Sequence, residues 1–431
     1  MTEAISVIVF VLAYVLIASE RMSRVLVVLV AAGLLLLLQV VDANDAFHSE
    51  RFGIDWNVIF LLFGMMVIVG VLKETGIFEY LAIWSAKKAK GQPFRILVML
   101  VVLTAFASAL LDNVTTVLLM VPVTLLIAER LAISPVPFLI AQVMASNIGG
   151  TATLIGDPPN IIIGSRAGLS YLAFLVNLGP VVLVALGAFI ALIGLLFKKA
   201  LIADPQRSAE LMLLDEREAL EPGPLLTRSL IVLGAVTIGF ALHNSLHYDP
   251  SVVALLGAGV LLLVAQRPPE TILREVEWRT LVFFIGLFVM VGALVKTGAV
   301  GRLAEAAVEA TGGSILVGSM LLIWISAVLS AMVDNIPYVA TMAPLVTELI
   351  AGLPDGANTE PLWWSLALGA DFGGNATPIG ASANVVVIGM AERAGWPIRF
   401  VEFVKYGLVV TLATVGVATI YVWLRYFVLA G

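Results

Sequence analysis

The segment from Asp55 to Gly76 (DWNVIFLLFGMMVIVGVLKETG) returns at an offset of 222 as Glu277 to Gly298 (EWRTLVFFIGLFVMVGALVKTG). Trp56 falls on Trp278, Gly64 on Gly286, Gly70 on Gly292, and Thr75-Gly76 on Thr297-Gly298. The same offset sets SALLDNVTTVLLMVP (Ser108–Pro122) on SAMVDNIPYVATMAP (Ser330–Pro344), so Asp112-Asn113 meets Asp334-Asn335. A small drift then brings Gly149-Gly150 onto Gly373-Gly374, Thr153 onto Thr377, Gly156 onto Gly380 and Asn160 onto Asn384. Chance does not hold register over so many specific positions. The chain is an internal duplication, and its fold is built from two copies of one unit.

Those units are made for lipid. Hydrophobic residues are 61% of the chain and charged ones 13%, against about 45–50% and about 25% in soluble domains. Runs such as Ile5–Ile17, Val25–Val41, Ile59–Leu72, Tyr171–Phe197 and Leu230–Leu242 are long enough, with their flanks, to span a bilayer of about 30 Å. The first apolar run has neither a basic leader nor a small-residue cleavage site and reads as a retained helix. A net charge of −6 gives no basis for a nucleic-acid partner; the lipid bilayer is the expected one. The absence of cysteine excludes disulfides, thiol catalysis and thiolate metal sites. With no nucleophile–base pair or metal motif in the spans, the sequence does not read as an enzyme.

Orientation follows from the basic residues. Arg21 and Arg24; Lys73, Lys87, Lys88, Lys90 and Arg95; Arg130; Lys198, Lys199, Arg207, Arg217 and Arg228; Arg267, Arg274 and Arg279; and Arg393, Arg399 and Lys405 place 19 of the 24 on one side. Arg51, Arg166, Lys296, Arg302 and Arg425 fall opposite. The crowded side is expected to be cytoplasmic, in a bacterial inner membrane, with both termini outside. That count works only if segments of about 93–128 and 314–350 enter and return as hairpins. Each half then makes five crossings, and an odd number inserts the second copy upside down. The expected fold is an all-α polytopic membrane protein with two inverted-topology repeats. It has about ten crossings, two re-entrant hairpins, and broken helices at about 137–165 and 362–391. Residues 1–197 form the first half, 198–228 a cytoplasmic linker, and 229–431 the second half.

Polar atoms concentrate where the apolar helices are interrupted. NIGGTATLIGDPPNIIIG (Asn147–Gly164) and DFGGNATPIGASANVVVIG (Asp371–Gly389) carry glycines and prolines inside otherwise apolar stretches. A helix broken within the membrane exposes backbone groups that must be buried in protein or face a wet cavity. Matching breaks in two halves point to a transporter's central site. Asp112 and Asp334 stand in apolar hairpins, where a carboxylate marks a proton or cation relay or caps the second arm; one residue can do both. Asn113, Thr115, Thr116 and Asn335 add hydrogen-bonding atoms, for a ligand or for tip packing. Asn147 pairs with Asp371, and Asp157 with Ala381, so each break keeps one acid at a different place. Asp157, before Pro158-Pro159, either shapes the turn or joins the site; Asp371, whose partner is neutral, reads as a site residue. None of the four motifs contains a basic residue. A phosphate or dicarboxylate clamp normally uses one, so these acids, amides and hydroxyls suit a proton, Na⁺ or a small neutral polyol. The three histidines, His48, His243 and His247, read as solvated loop residues, although His243 and His247 with Asp249 have helical metal-ligand spacing. Trp56, Trp84 and Trp278 near span ends read as interface anchors.

At its hairpins and breaks the chain resembles the ArsB/NhaD permeases of the ion transporter superfamily. GGTATLIGDPPN (Gly149–Asn160) is similar to a signature shared by arsenite-permease-like proteins and the pigmentation-associated P protein. The resemblance runs from about Val25 to Phe427 and implies a scaffold plus a mobile region that shuttles the site in an elevator-like movement. It implies a site of Asp112, Asn113, Thr115, Gly149, Gly150, Thr151, Thr153, Asp157, Asn160, Asp334, Asn335, Gly373, Gly374, Asn375, Thr377 and Asn384, beside the Thr116, Asn147 and Asp371 read directly. Such proteins move arsenite or antimonite, exchange Na⁺ for H⁺, or import carboxylates and sulfate. The Ser-Asn-Thr signatures of the carboxylate branch are absent, replaced by Asp-Asn-Val-Thr-Thr and Asp-Asn-Ile-Pro-Tyr. The leading expectation is therefore a secondary transporter for proton-coupled efflux of arsenite or antimonite. Asp112, Asp334, Asp371 or Asp157 carries the coupling ion: H⁺, or Na⁺ in the antiporter alternative. No cofactor is needed. A Na⁺-coupled anion carrier and an anion channel follow as further alternatives. Expected partners are a small inorganic substrate, a second copy in a homodimer, and a metalloid-driven ATPase subunit.

Overall fold

The computed structural model describes residues 2–19, 21–197, 201, 204–213, 215–354 and 356–429; Lys198 and Lys199, counted above in the linker, lie outside them. Among the described residues the regular elements are all helical. The first half holds α1 (Thr2–Ala18), α2 (Arg24–Leu37), a short α3 (Ala43–His48), α4 (Trp56–Lys73) and α5 (Ile77–Lys88). The pair α6 (Pro93–Leu110) and α7 (Asn113–Leu131) follows, then α8 (Val136–Gly150), α9 (Pro158–Ala167) and α10 (Tyr171–Phe197). The linker contributes α11 (Pro205–Leu211) and a 3₁₀ turn at Glu216–Ala219. The second half runs α12 (Leu225–Leu246), α13 (Pro250–Ala265), α14 (Pro269–Leu273), α15 (Trp278–Lys296) and α16 (Ala299–Thr311). It ends with the pair α17 (Ile315–Met332) and α18 (Asn335–Ala351), then α19 (Glu360–Gly373), α20 (Ser382–Arg393) and α21 (Phe400–Trp423).

Among the described residues eight helices are long and apolar enough to cross a membrane, and leucines such as Leu183, Leu195 and Leu263 stand more than 70% exposed on their outer faces. Such a surface is stable only against lipid tails, so this is an integral membrane protein. Repeated residues do repeated jobs. Gly76 and Gly298, a duplicated pair, open α5 and α16 at φ +71 and +81, a left-handed turn that glycine makes without a Cβ penalty. Pro122 and Pro344, another pair, lie inside α7 and α18, where each removes one backbone donor.

The halves interlock rather than sit side by side. Gly64 of α4 approaches α13 so closely that a Cβ there would lie 2.7–2.8 Å from Ala254; Gly286 of α15 would meet Val28 of α2 at 2.8–3.1 Å. Each half's α4-type helix is thus covered by the other half's α2-type helix. Helices α1, α2, α4, α12, α13 and α15 pack together as a frame. In a second body, α18 lies on α9, α20 on α7 and α8, and α19 on α17 and α21. Helices α10 and α21 also pair across the halves, with Tyr421 Oη donating to the Asn177 carbonyl and Tyr426 Oη to Asn177 Oδ1, both at 2.7 Å. The linker is pinned to the first half: the Glu221 amide donates to the Thr75 carbonyl at 3.1 Å. Lys87 Nζ donates to the Glu216 carboxylate and holds that acid below the usual glutamate range.

Candidate functional site

Each hairpin tip is organised by its aspartate. Asp112 Oδ1 accepts the Thr115 amide at 2.8 Å, and the Thr115 hydroxyl donates to Oδ2, which fixes the start of α7. Asp334 Oδ1 accepts the Ile336 amide at 3.1 Å and starts α18 in the same way. Both acids therefore cap, as one of the two readings required.

The breaks are folded by duplicated contacts. A Cβ on Gly149 would lie 2.1 Å from the Ala105 carbonyl, and one on Gly373 would lie 2.5 Å from Ala327, the repeat mate of Ala105. Only glycine lets α8 and α19 sit so close to α6 and α17. Gly150 closes on Gly156, and Gly374 on Gly380. Asn160 Nδ2 donates to the Thr153 carbonyl at 2.9 Å, and Asn384 Nδ2 to the Thr377 and Gly374 carbonyls at 2.8 Å, so these amides hold the unwound backbone. The Thr153 and Thr377 hydroxyls donate to the Ala109 and Ala331 carbonyls at 2.6 and 2.5 Å. Among the candidate ligand residues, Gly149, Gly150, Gly373, Gly374, Thr153 and Thr377 thus shape the site as struts.

Between the tips lies a buried amide–carboxylate net joining both halves. Asn113 Nδ2 donates to Asn147 Oδ1 at 3.1 Å and to Asp157 Oδ2 at 3.0 Å. Asn335 Nδ2 reaches the same Asp157 carboxylate from the other tip at 3.3 Å. Asn147 Nδ2 donates across the repeats to Asn375 Oδ1 at 3.0 Å and Asn384 Oδ1 at 3.2 Å. Asp157 also lies within Coulombic reach of Asp371, Asp334 and Asp112. It is a member of the net and makes no side-chain cap on α9. The N-termini of α7, α9, α18 and α20 point partial positive charge toward these acids.

Several atoms in this region are buried without a partner: both Asp371 carboxylate oxygens, Asn113 Oδ1, Asn160 Oδ1, Asn375 Nδ2 and Thr116 Oγ1. Thr151 is close enough to influence Asp371, but its hydroxyl donates to the Asn147 carbonyl at 2.8 Å. An unsatisfied buried polar group costs about 1–3 kcal/mol. A cluster of them with both donors and acceptors suits a small polar ligand or a proton.

Charge is where the structure departs from the motifs. The four motifs lack basic residues, yet Arg24, at the start of α2, donates to Asp334 Oδ2 at 2.7 Å and to Ser382 Oγ at 3.2 Å. The Ser382 hydroxyl also donates to Asp334. Asp334 is thus paired with a frame cation. No motif signals that contact, because Arg24 lies in the other half of the chain and stands in the sequence as a loop charge. Around Asp112 the neighbours differ: Thr115 lines a cavity of about 70 Å³ with Lys73, Glu275 and Glu277. Ser108 and Ser146 were also overlooked; the Ser146 hydroxyl donates to the Asn113 carbonyl at 3.0 Å. Ser108 carries a signal in the serine repeated at 330, whereas Ser146, whose mate is Ala370, carries none. His243 is not simply solvated: the Tyr171 amide donates to its Nε2 at 3.4 Å, and its Nδ1 lies 3.1 Å from the Tyr248 carbonyl. No group of three metal-binding side chains occurs among the described residues.

Residues 14–369 match the family described as citrate transporter, CitMHS. The chain belongs to this family. An uncharacterized transporter of Mycobacterium tuberculosis is 55% identical over 427 residues, covering 99% of both chains. A 46 kDa membrane protein of Mycobacterium leprae is 52% identical over 428 residues, 99% of this chain and 100% of that one. The P protein of Homo sapiens is 33% identical over 484 residues; the match takes in 94% of this chain and 58% of P protein. The likeness to P protein therefore extends well beyond the GGTATLIGDPPN block. The solved YdaH transporter of Alcanivorax borkumensis, described as having an unusual topology, superposes with a TM-score of 0.59 over 86% of this chain and 85% of that one. At 14% identity that likeness speaks for the fold. This member of the CitMHS family, within the ion transporter superfamily, is a secondary membrane transporter and not an enzyme.

Proposed function

We propose that this CitMHS-family transporter is a proton-coupled exchanger that releases a small neutral hydroxide, of the arsenite or antimonite type, from the cytoplasm by alternating access. The observation that carries this reading is the buried net of Asn113, Asn147, Asn335, Asn375, Asn384 and Asp157 beside the unpartnered Asp371. Amides and hydroxyls bind an uncharged polyhydroxide without a cationic clamp, and Asp371 is free to take up and return a proton. The helix pairs α6–α7 and α17–α18 act as re-entrant hairpins in inverted repeats with about ten crossings. The body that holds them moves against the frame, with the basic side cytoplasmic and both termini outside a bacterial inner membrane.

A second reading, transport of a carboxylate, is favoured by one observation. Arg24 and Arg279 line a cavity of about 220 Å³ that reaches Ile336 and Ser382 at the second tip and break, and the matching family is described by citrate. Purified protein in liposomes with an internal pH dye separates the two. Proton flux evoked by arsenite or antimonite and lost in Asp371→Asn supports the hydroxide exchanger. Flux evoked by citrate or succinate alone assigns the carboxylate. A response confined to Na⁺ or Li⁺ makes the acids direct cation ligands and removes the hydroxide reading.

A further inference from the structure

The interlocked glycines put the two halves of the frame in register. Gly64 and Gly286 are mates in the duplication, so their contacts Ala254 and Val28 are mates too, at an offset of 226. That offset sets Ser23 on Asp249, Arg24 on Pro250 and Val25 on Ser251. The offset of 222 sets Asn57 on Arg279, Val58 on Thr280 and Leu61 on Phe283.

Two cavities obey this register. The one of about 220 Å³, where α2 and α15 begin, is lined from the frame by Ser23, Arg24, Val25, Arg279, Thr280 and Phe283. The other, of about 360 Å³, where α4 and α13 begin, is lined by their six mates Asp249, Pro250, Ser251, Asn57, Val58 and Leu61. They are one cavity built twice, at opposite ends of the frame. What fills them differs. In the first sit Ile336, from the second hairpin tip, and Ser382, from the start of α20. Their mates Val114 and Pro158 do not line the second; the body of α9 does, at Ile161 and Gly164. Those residues lie three and six positions beyond Pro158, about 5–9 Å along a helix.

We propose that the larger cavity is an empty seat: in the opposite-facing state the first hairpin tip, with Val114, Pro158 and Asp112, docks against Asp249, Pro250, Ser251 and Asn57. This rests on the alternating-access reading and gives it a stroke of about 5–9 Å. The seats are chemically unequal. The occupied one offers Asp334 the guanidinium of Arg24. The empty one has Pro250 at that position, Asp249 beside it, and neither Lys nor Arg among its lining residues; His243 and His247 supply imidazoles instead. Asp112 docks there stably only when its charge is cancelled by a proton or a small cation, so that loading the carrier and seating the first tip are one event.

The cysteine-free chain makes the test direct. Val25→Cys with Ile336→Cys reports the occupied seat, and Val114→Cys with Ser251→Cys the empty one. Each pair joins the two halves, so after cleavage at a protease site placed in the linker, cross-linked halves run as one band and unlinked halves as two. The reconstituted full chain is treated with a short bis-maleimide at rest and under an imposed pH gradient with the arsenite, antimonite, citrate and Na⁺ panel. The expected result is a 25–336 link at rest and a 114–251 link that forms under gradient; in Asp112→Asn, whose amide has no charge to cancel, the 114–251 link forms at rest as well, and in a chain carrying all four cysteines the two links exclude one another. Failure of the 114–251 link to form, while the 25–336 link stops proton flux, overturns the seat and leaves alternating access standing. Proton flux that continues through fully 25–336-linked protein overturns both.

Discussion

Removing the Arg24 guanidinium tests the charge balance at the second tip. Asp334 is 1% exposed at its side chain and 2.7 Å from Arg24, which is itself 27% exposed. Deleting one partner of a buried pair costs about 3–5 kcal/mol. Two features lower that figure here: Arg24 is partly hydrated, and Ser382 and the Ile336 amide still donate to Asp334. Arg24→Ala should therefore cost about 3 kcal/mol. In Asp334→Asn the neutral side chain keeps acceptor contacts and Arg24 turns toward water, for a cost of about 1–2 kcal/mol. The double variant should be no worse than Asp334→Asn alone, a coupling of about 3 kcal/mol between the sites. Equilibrium unfolding of the four proteins in detergent titrated with SDS reads these differences. Additive losses, with coupling below about 0.5 kcal/mol, would refute the argument that Asp334 and this arginine act as a pair.

Four further outcomes are expected. Gly149→Ala places a methyl 2.1 Å from the Ala105 carbonyl and should lower stability by about 1–3 kcal/mol or more, whereas Gly259→Ala, with nothing within 4 Å, should be neutral or stabilising by up to about 1 kcal/mol; the same unfolding assay compares them. Asn113→Ala and Asn335→Ala each remove a donor to Asp157 and should cut transport at least about tenfold, and wild-type rates in both would remove Asp157 from the site. Asp371→Asn should abolish substrate-driven proton flux yet retain substrate counterflow, whereas loss of both assigns Asp371 to binding rather than coupling. Glu216 is held below its ordinary value by Lys87, so the pinning it provides is complete above about pH 4.5 and is lost as pH falls through the depressed value; a spin label at Glu218→Cys should gain mobility on acidification, and a Glu216→Gln background should be mobile throughout.

What was legible in the chain was what local chemistry writes twice. Glycines at 149, 150, 373 and 374 announce backbone that must pass close to another helix. Asp112 and Asp334 announce helix starts, since an aspartate before Asn and a hydroxyl or proline caps whatever its other use. Contacts between distant elements were not legible. Arg24 precedes an apolar run as any membrane-flanking arginine does; only the docking of the second hairpin on α2 makes it Asp334's partner. Asn147 and Asn375 meet from opposite halves, and no spacing within either break signals it. Thr153 and Thr377 read as candidate ligands because hydroxyls near a break fit that description. Their engagement with Ala109 and Ala331 depends on how closely α6 and α17 approach, which is a packing outcome.

The exchange of α2 and α13 between the halves has a consequence for synthesis. Gly64 finds its cover at Ala254, which the ribosome reaches only well into the second half. At a translation rate of about 5–20 residues per second, α4 waits about 10–40 s for the helix that seals it. During that time its small-residue face is open to lipid or to another nascent chain. A half made alone lacks that cover, and the mate of α13 that a second copy of the same half would bring to it is α2. The protein has the construction of a two-subunit assembly whose subunits were joined end to end, and its first half depends on its second to finish folding.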